Sequence, residues 1–390
     1  MLIQRRQVMR FRHVAVSLML LIAASAGIGL AQETTGTIQG RIVDAQDLAV
    51  LGATVTATGP QGARSSRSDT EGRFTIPFLT PGAYSVRAEL QGFKMAEQKD
   101  VNVRLGQTVD LALKMEVGVV TELVTVTAIV PIVDTTSTTT GETIAGELTR
   151  LVPVGRRISD VAYLAPGVSN SGAVGRANPS MAGGTGLDNL YVVDGSNITN
   201  QGYGAIGSYS IVFGSLGNAI PFDFIKDYDV KTGGYEAEFG QSTGGVVNVI
   251  TKSGANDLRG SAFAYARRKE LEGGWKQFQS TNGTIQTLSS SLSDAGVEGG
   301  GPIVKNRLFF FGAIDPQWET STFQAPGGFA LFNTDGYART RRNLSYSAKG
   351  TAQLGSGSEH RVDASFFGDP SRGAVAASQI TSSSPELVPT

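Results

Sequence analysis

The residues that could do chemistry are few. Gly240-Gln241-Ser242-Thr243-Gly244 satisfies G-x-S-x-G, the spacing of a hydrolase nucleophile elbow, with Asp315 and then His360 downstream in the order such a triad needs. Asp363 follows His360 and falls out of that order. An elbow requires a helix after its serine. Here Val246, Val247, Val249 and Ile250 follow, and these residues favour a strand. We therefore expect no hydrolase. Asp227, Asp229, Glu236 and Glu238 form an acidic cluster without the spacing of a calcium loop, and a solvated face is expected there. The glycine-rich Gly183–Gly186 lacks the strand-to-helix frame of a phosphate loop. Two histidines and no cysteine leave almost no ligands for a transition metal. No catalytic residue, no metal and no cofactor are expected.

Without a reacting centre, the elements themselves carry the information. The chain has 390 residues, 50 of them glycine, and 40% are hydrophobic, enough to build cores. Net charge is −1, so the basic excess of a nucleic-acid binder is missing. Arg5, Arg6, Arg10 and Arg12 precede an apolar run from Val14 to Ile22, which ends in small residues up to Ala31. That order reads as a secretory signal over 1–31, cut after Ala31, rather than as a membrane anchor. Losing four arginines and no acid moves the net charge from −1 to −5. An exported chain without cysteine has no disulfides to hold it. No later stretch reaches the roughly 18 apolar residues of a spanning helix, so any membrane passage must be a β-barrel.

Residues 32–117 read as a β-sandwich. Thr37–Val43, Ala53–Thr58, Arg73–Phe78, Ala83–Glu89, Val101–Leu105 and Thr108–Met115 are short β-rich runs closed by polar or glycine turns. Tyr84, Val86 and Ala88 alternate with Ser85, Arg87 and Glu89. About seven such strands fit an Ig-like sandwich. The phrases Gly40–Asp44, Gly52–Val55, Asp69–Phe74, Leu79–Tyr84 and Gly92-Phe93 resemble the carboxypeptidase regulatory-like domain, a transthyretin-like sandwich. The resemblance brings no peptidase, because the metal ligands are absent.

Residues 118–254 carry the most informative pattern. Thr121-Glu122-Leu123-Val124-Thr125-Val126-Thr127-Ala128 is extended, with an acid near its start. Leu148–Leu164 has three- and four-residue apolar spacing interrupted by Pro153, and suits helical turns. Leu190–Asp194 reads as a strand that ends at the hairpin-type turn Asp194-Gly195. Phe224–Lys231 alternates and closes at Gly233-Gly234; Gly244–Thr251 is β-branched and contains Gly245 and Asn248. These phrases, FIKDYDVKTGGYEAEFG and GGVVNVITKSG included, resemble the plug domain of TonB-dependent outer-membrane receptors. Thr121–Ala128 resembles the TonB box just ahead of it. A sandwich before a plug is similar to the Oar-like and SusC-like receptors.

Residues 255–390 alternate with period two. Leu344, Tyr346, Ala348 and Ala352 interleave with Ser345, Ser347, Lys349 and Thr351, and Val362, Ala364 and Phe366 follow a turn at Gly355–Ser358. By their letters alone these strands suit one face of a soluble sandwich as well as a barrel wall. After a plug they read as wall. Only five or six strands are found, against about 22 in large plugged transporters. We therefore expect an N-terminal fragment of a longer receptor. The fold class is mainly β: sandwich, then an α+β plug, then the first strands of an incomplete transmembrane β-barrel.

The resemblance implies a cell outer-membrane receptor with its N-terminal domain in the periplasm. It implies energy-coupled uptake of a glycan, peptide or siderophore. The implied partners are TonB, which would take up the TonB box, and outer-membrane lipid, with no nucleic acid. The alternative is a secreted or cell-surface carbohydrate- or protein-binding β-sandwich protein without transport.

Overall fold

The computed structural model describes residues 34–118, 123–125, 138–152, 154, 158–170, 179–199, 209–210, 214–215, 220–271, 273, 286–324, 337–355 and 360–376. The secretory signal falls outside them, as do Thr121, Glu122, Val126, Thr127 and Ala128 of the expected TonB box.

The first body is a sandwich of two sheets. Strands β1 (Gly36–Val43), β2 (Thr54–Gly59), β3 (Gly62–Arg67), β4 (Arg73–Leu79), β5 (Gly82–Glu89), β6 (Met95–Val103), β7 (Thr108–Lys114) and β8 (Leu123–Thr125) supply it. One sheet runs β4-β1-β7 and the other β3-β2-β5-β6-β8. Ile38, Ile42, Val55, Val86, Leu111 and Leu113 are buried between them. Tyr84, Val86 and Ala88 face this core while Arg87 and Glu89 face water, as their alternation predicts. The turns are held by side chains. Asp44 Oδ1 accepts from the Gln46 and Leu48 amides at 2.8 and 2.9 Å, and Asp69 Oδ1 from the Glu71 and Arg73 amides at 3.0 and 2.7 Å. The Tyr84 hydroxyl donates to the Thr80 carbonyl at 2.7 Å, a tyrosine corner. Burial pushes its pKa up to about 12, so it remains a donor. Gly40 is required by close approach: a Cβ there would overlap the Leu111 carbonyl across the parallel β1–β7 pair.

The second body is a mixed sheet in the order β13-β12-β17-β16-β9. Its strands are β9 (Thr140–Ala145), β12 (Leu190–Val193), β13 (Ser196–Asn197), β16 (Ile225–Gly233) and β17 (Val246–Thr251). The short pairs β10 (Val168–Asn170) with β11 (Pro179–Met181), and β14 (Tyr209–Ser210) with β15 (Gly214–Ser215), lie outside that sheet. The apolar spacing of 148–164 forms a 3₁₀ turn at Leu148–Arg150 and a helix α1 at Ile158–Ala162, which buries Ile158, Val161 and Ala162. Strand β17 is buried along its whole length, and β16 nearly so. Phe224–Lys231 therefore has no solvent face to alternate with. Asp227 and Asp229 are 3% and 6% exposed, which corrects the expected solvated acidic face for these two, with Asp229 3.6 Å from the Lys231 ammonium; Glu236 and Glu238 are exposed as expected.

The third body is a sheet of six long or medium strands. They are β18 (Arg259–Arg267), β19 (Gln286–Val304), β20 (Leu308–Gln324), β21 (Tyr337–Leu354), β22 (His360–Gly368) and β23 (Ser371–Ala376). All neighbours are antiparallel, and β22 and β23 pair with successive stretches of β21. Strands of 17 to 19 residues exceed the roughly 9–11 needed to cross a bilayer. Their polarity is inverted relative to a soluble sandwich. Ser345, Ser347, Lys349, Thr351 and Gln353 are buried, while Phe310, Ile314, Trp318, Leu344, Val362 and Phe366 are 40–67% exposed. A soluble sandwich buries its apolar face. On β21 the polar residues are turned inward and the apolar ones outward, the arrangement of a lipid-facing barrel wall, while Phe309 and Phe311 of β20 are also buried.

Candidate functional site

Asp194 and Gly195 form the two-residue turn between β12 and β13, with φ +47° and +78°. Positive φ at both central positions is the type I′ geometry that matches strand twist. The turn places the Asp194 carboxylate over the end of β17. Its Oδ1 accepts the Thr251 amide at 2.9 Å and its Oδ2 the Thr251 hydroxyl at 2.6 Å. The Lys349 ammonium of β21 donates to Oδ1 at 2.8 Å, and the two side chains are 3% and 4% exposed. One buried ion pair thus ties the β12–β17 sheet to the polar face of the wall. A second tie follows in sequence: Lys252 donates to Glu298 of β19 at 2.5 Å, and Ser261 donates to the same carboxylate oxygen at 2.8 Å.

The glycines singled out in the sequence lie at close approaches. A Cβ on Gly245 would overlap the Met181 side chain, and one on Gly244 would sit 2.5 Å from Asn189 Oδ1. Asn189 in turn accepts the Gly245 amide at 3.0 Å and donates to the Pro179 carbonyl at 2.7 Å, fixing the entry to β17. Gly234 has φ +63°, and Gly233 ends β16 opposite Thr140. Asn248 is fully buried in β17, in register with Val192 and Asp229. Lys231 donates to Glu236 at 2.7 Å and lies over the Phe239 ring at 4.8 Å.

The hydrolase look-alike has the wrong surroundings. The Ser242 hydroxyl lies 2.9 Å from the Asp188 and Gly245 carbonyls, and strand β17 follows it. His360 begins β22 of the wall sheet. Among the described residues no group of three or more Asp, Glu or His side chains is placed to hold a metal ion.

The described part of the expected TonB box, Leu123–Thr125, is strand β8. It runs parallel to β6 in the register Met95–Leu123, Ala96–Val124 and Glu97–Thr125. The sandwich that receives it also touches both other bodies. Gln61 donates to the Gly254 carbonyl at 2.8 Å, the Asn256 amide to the Pro60 carbonyl at 3.0 Å, and Arg361 of β22 to the Thr80 hydroxyl. Arg104 donates to the Thr143 carbonyl of β9 at 3.0 Å. A cavity of about 610 Å³ lies where the three meet, with Thr80, Lys226, Lys252, Glu298 and Arg361 among its walls. No sequence signal marked Gln61, Arg104 or Lys349, since each is an ordinary polar residue until the topology brings its partner near.

Residues 37–116 match the carboxypeptidase regulatory-like domain, and residues 250–326 match an outer membrane beta barrel domain. The chain is 33% identical over 328 residues to the TonB-dependent transporter Oar of Myxococcus xanthus. The chain is thus a homologue of part of that transporter, with a carboxypeptidase regulatory-like domain and outer-membrane barrel sequence. The aligned part is 80% of this chain and 29% of that transporter. Two solved siderophore receptors named PirA are also similar. The one from Acinetobacter baumannii has TM-score 0.44 and 20% identity, over 64% of this chain and 35% of its own. The one from Pseudomonas aeruginosa has TM-score 0.35 and 17% identity, over 60% and 41%. The outer-membrane barrel match spans strands β18, β19 and β20 of the wall.

Proposed function

We propose that the protein takes up a substrate across the outer membrane into the periplasm, with energy delivered by TonB through Thr121–Ala128. In this reading residues 1–31 are the export signal, residues 118–254 are the TonB box and plug, and the N-terminal sandwich lies in the periplasm. The observation that carries it is the buried Asp194–Lys349 pair, which seats a β12–β17 sheet against a wall that is polar inside and apolar outside. Besides these polar ties, Phe263, Ala313 and Phe367 of the wall pack against the apolar core of that sheet. An extended segment ahead of it offers main-chain groups for strand pairing with a partner, a mode that asks little of side chains. The test is binding of the purified periplasmic domain of TonB to the detergent-solubilised receptor. Val124→Pro removes an amide from the segment and should weaken binding at least tenfold. Unchanged binding would reject the assignment of the segment.

A further inference from the structure

The outer strand of the larger sandwich sheet is occupied by the very segment that TonB is proposed to take. Strand β6 pairs with β5 on one side, through Arg87–Glu97 and Ala88–Ala96, and with β8 on the other. Without β8 the amides and carbonyls on that side of Met95–Glu97 would form an open edge. That edge is held in place from behind: Ser85 and Arg87 of β5 donate to Glu97 Oε1 at 2.7 and 2.9 Å. The chain leading to β8 is pinned as well. The Lys94 amide donates to the Glu116 carbonyl at 2.7 Å, the Gly118 amide to the Gly92 carbonyl at 3.1 Å, and Val117 bridges Phe93. Four residues separate the pin at Gly118 from Leu123. A tether that short presents the segment to its edge at an effective concentration on the order of millimolar, so a three-residue ladder suffices to hold it.

We propose that the Met95–Glu97 edge is a strand-receiving surface for the coupling segment of the same chain, so that the sandwich and TonB compete for one stretch of backbone. This rests on the reading of Thr121–Ala128 as the segment TonB binds. A strand has one set of outward hydrogen-bonding groups per side, and a parallel partner on β8 uses those TonB would need on that side. The apparent affinity for TonB is then the intrinsic affinity multiplied by the fraction of receptor in which the segment is free.

The chain has no native cysteine, so an engineered disulfide is unambiguous. The full chain carrying Met95→Cys and Leu123→Cys, residues in register, is compared with Met95→Cys and Val124→Cys, one position out of register and on the opposite face. The registered pair should oxidise and the control should remain thiol. If neither oxidises, or both do equally, the docking is rejected. The oxidised registered receptor should bind the TonB periplasmic domain at least tenfold more weakly than the same receptor after reduction. Equal binding in the two states rejects the competition. The reduced receptor is finally compared with Val124→Pro. If these bind TonB alike, the coupling assignment fails and the competition with it, while the disulfide result alone still decides whether the segment docks.

Discussion

At the scale of single residues, the charges inside this molecule are held in two different ways. Asp194 and Lys349 neutralise each other out of water, and removing one partner leaves the other buried and unpaired, which costs about 3–5 kcal/mol. Lys349→Met should therefore raise hydrogen exchange at the Thr251 amide by about two orders of magnitude. Lys349→Met with Asp194→Asn should recover part of that protection. Asp227 is different. Burial pushes its pKa up to about 6, against the lowering effect of Lys226, the Leu105 amide and Arg104. A carboxyl raised in the folded state binds its proton more tightly there than in the unfolded chain. Its stabilising contribution is present below about pH 4 and is lost as pH rises to about 6. Urea titrations of the receptor should show this slope between pH 4 and 6, and Asp227→Asn should flatten it. Glu97 slopes the opposite way. Hydrogen bonds from Ser85 and Arg87 lower its pKa, so its contribution is present above the ordinary carboxyl range and fades as pH falls through the lowered value.

At the scale of elements, Gly40→Ala tests why β1 and β7 approach so closely. The added methyl meets backbone rather than a movable side chain. The sandwich should lose more than about 2 kcal/mol by thermal unfolding, well beyond the usual effect of one methyl. Much of this level was legible in the sequence. Five of the seven main sandwich strands, the Val101–Val103 end of β6, the Asp194-Gly195 turn and strand β17 follow from alternation, β-branching and turn residues. Strand β3 was not legible, because Arg64, Ser65, Ser66 and Arg67 sit at a sheet edge and carry no apolar alternation. Strand β23 is short and made mostly of small residues. Strand β16 was found but its faces were misjudged, since burial on both sides erases the pattern that reveals a solvent face. The docking of β8 on β6 was invisible because a parallel pair is joined through a crossover, and nothing local encodes the partner.

At the scale of the whole molecule, the sandwich is fastened to both neighbours by polar contacts rather than an apolar seam. Gln61, Arg361 and Arg104 provide them. Such contacts hold a domain in place yet separate without exposing a core. Gln61→Ala with Arg104→Ala should leave the unfolding midpoint of the sandwich unchanged. It should also make the segment after Gly254 more sensitive to limited proteolysis. The outward apolar face of β19–β22 predicts that the receptor partitions with outer membranes and needs detergent for extraction, measured by fractionation. The order of bodies along the chain has a mechanical consequence. A tug on Leu123–Thr125 loads two anchorages in opposite directions, the sandwich upstream and Thr140 downstream. Strand β9, which begins at Thr140, is the outermost strand of its sheet and, among the described residues, pairs with β16. Tension arriving there unzips one antiparallel ladder, rung after rung, so β9 is the hem along which this sheet would begin to unravel.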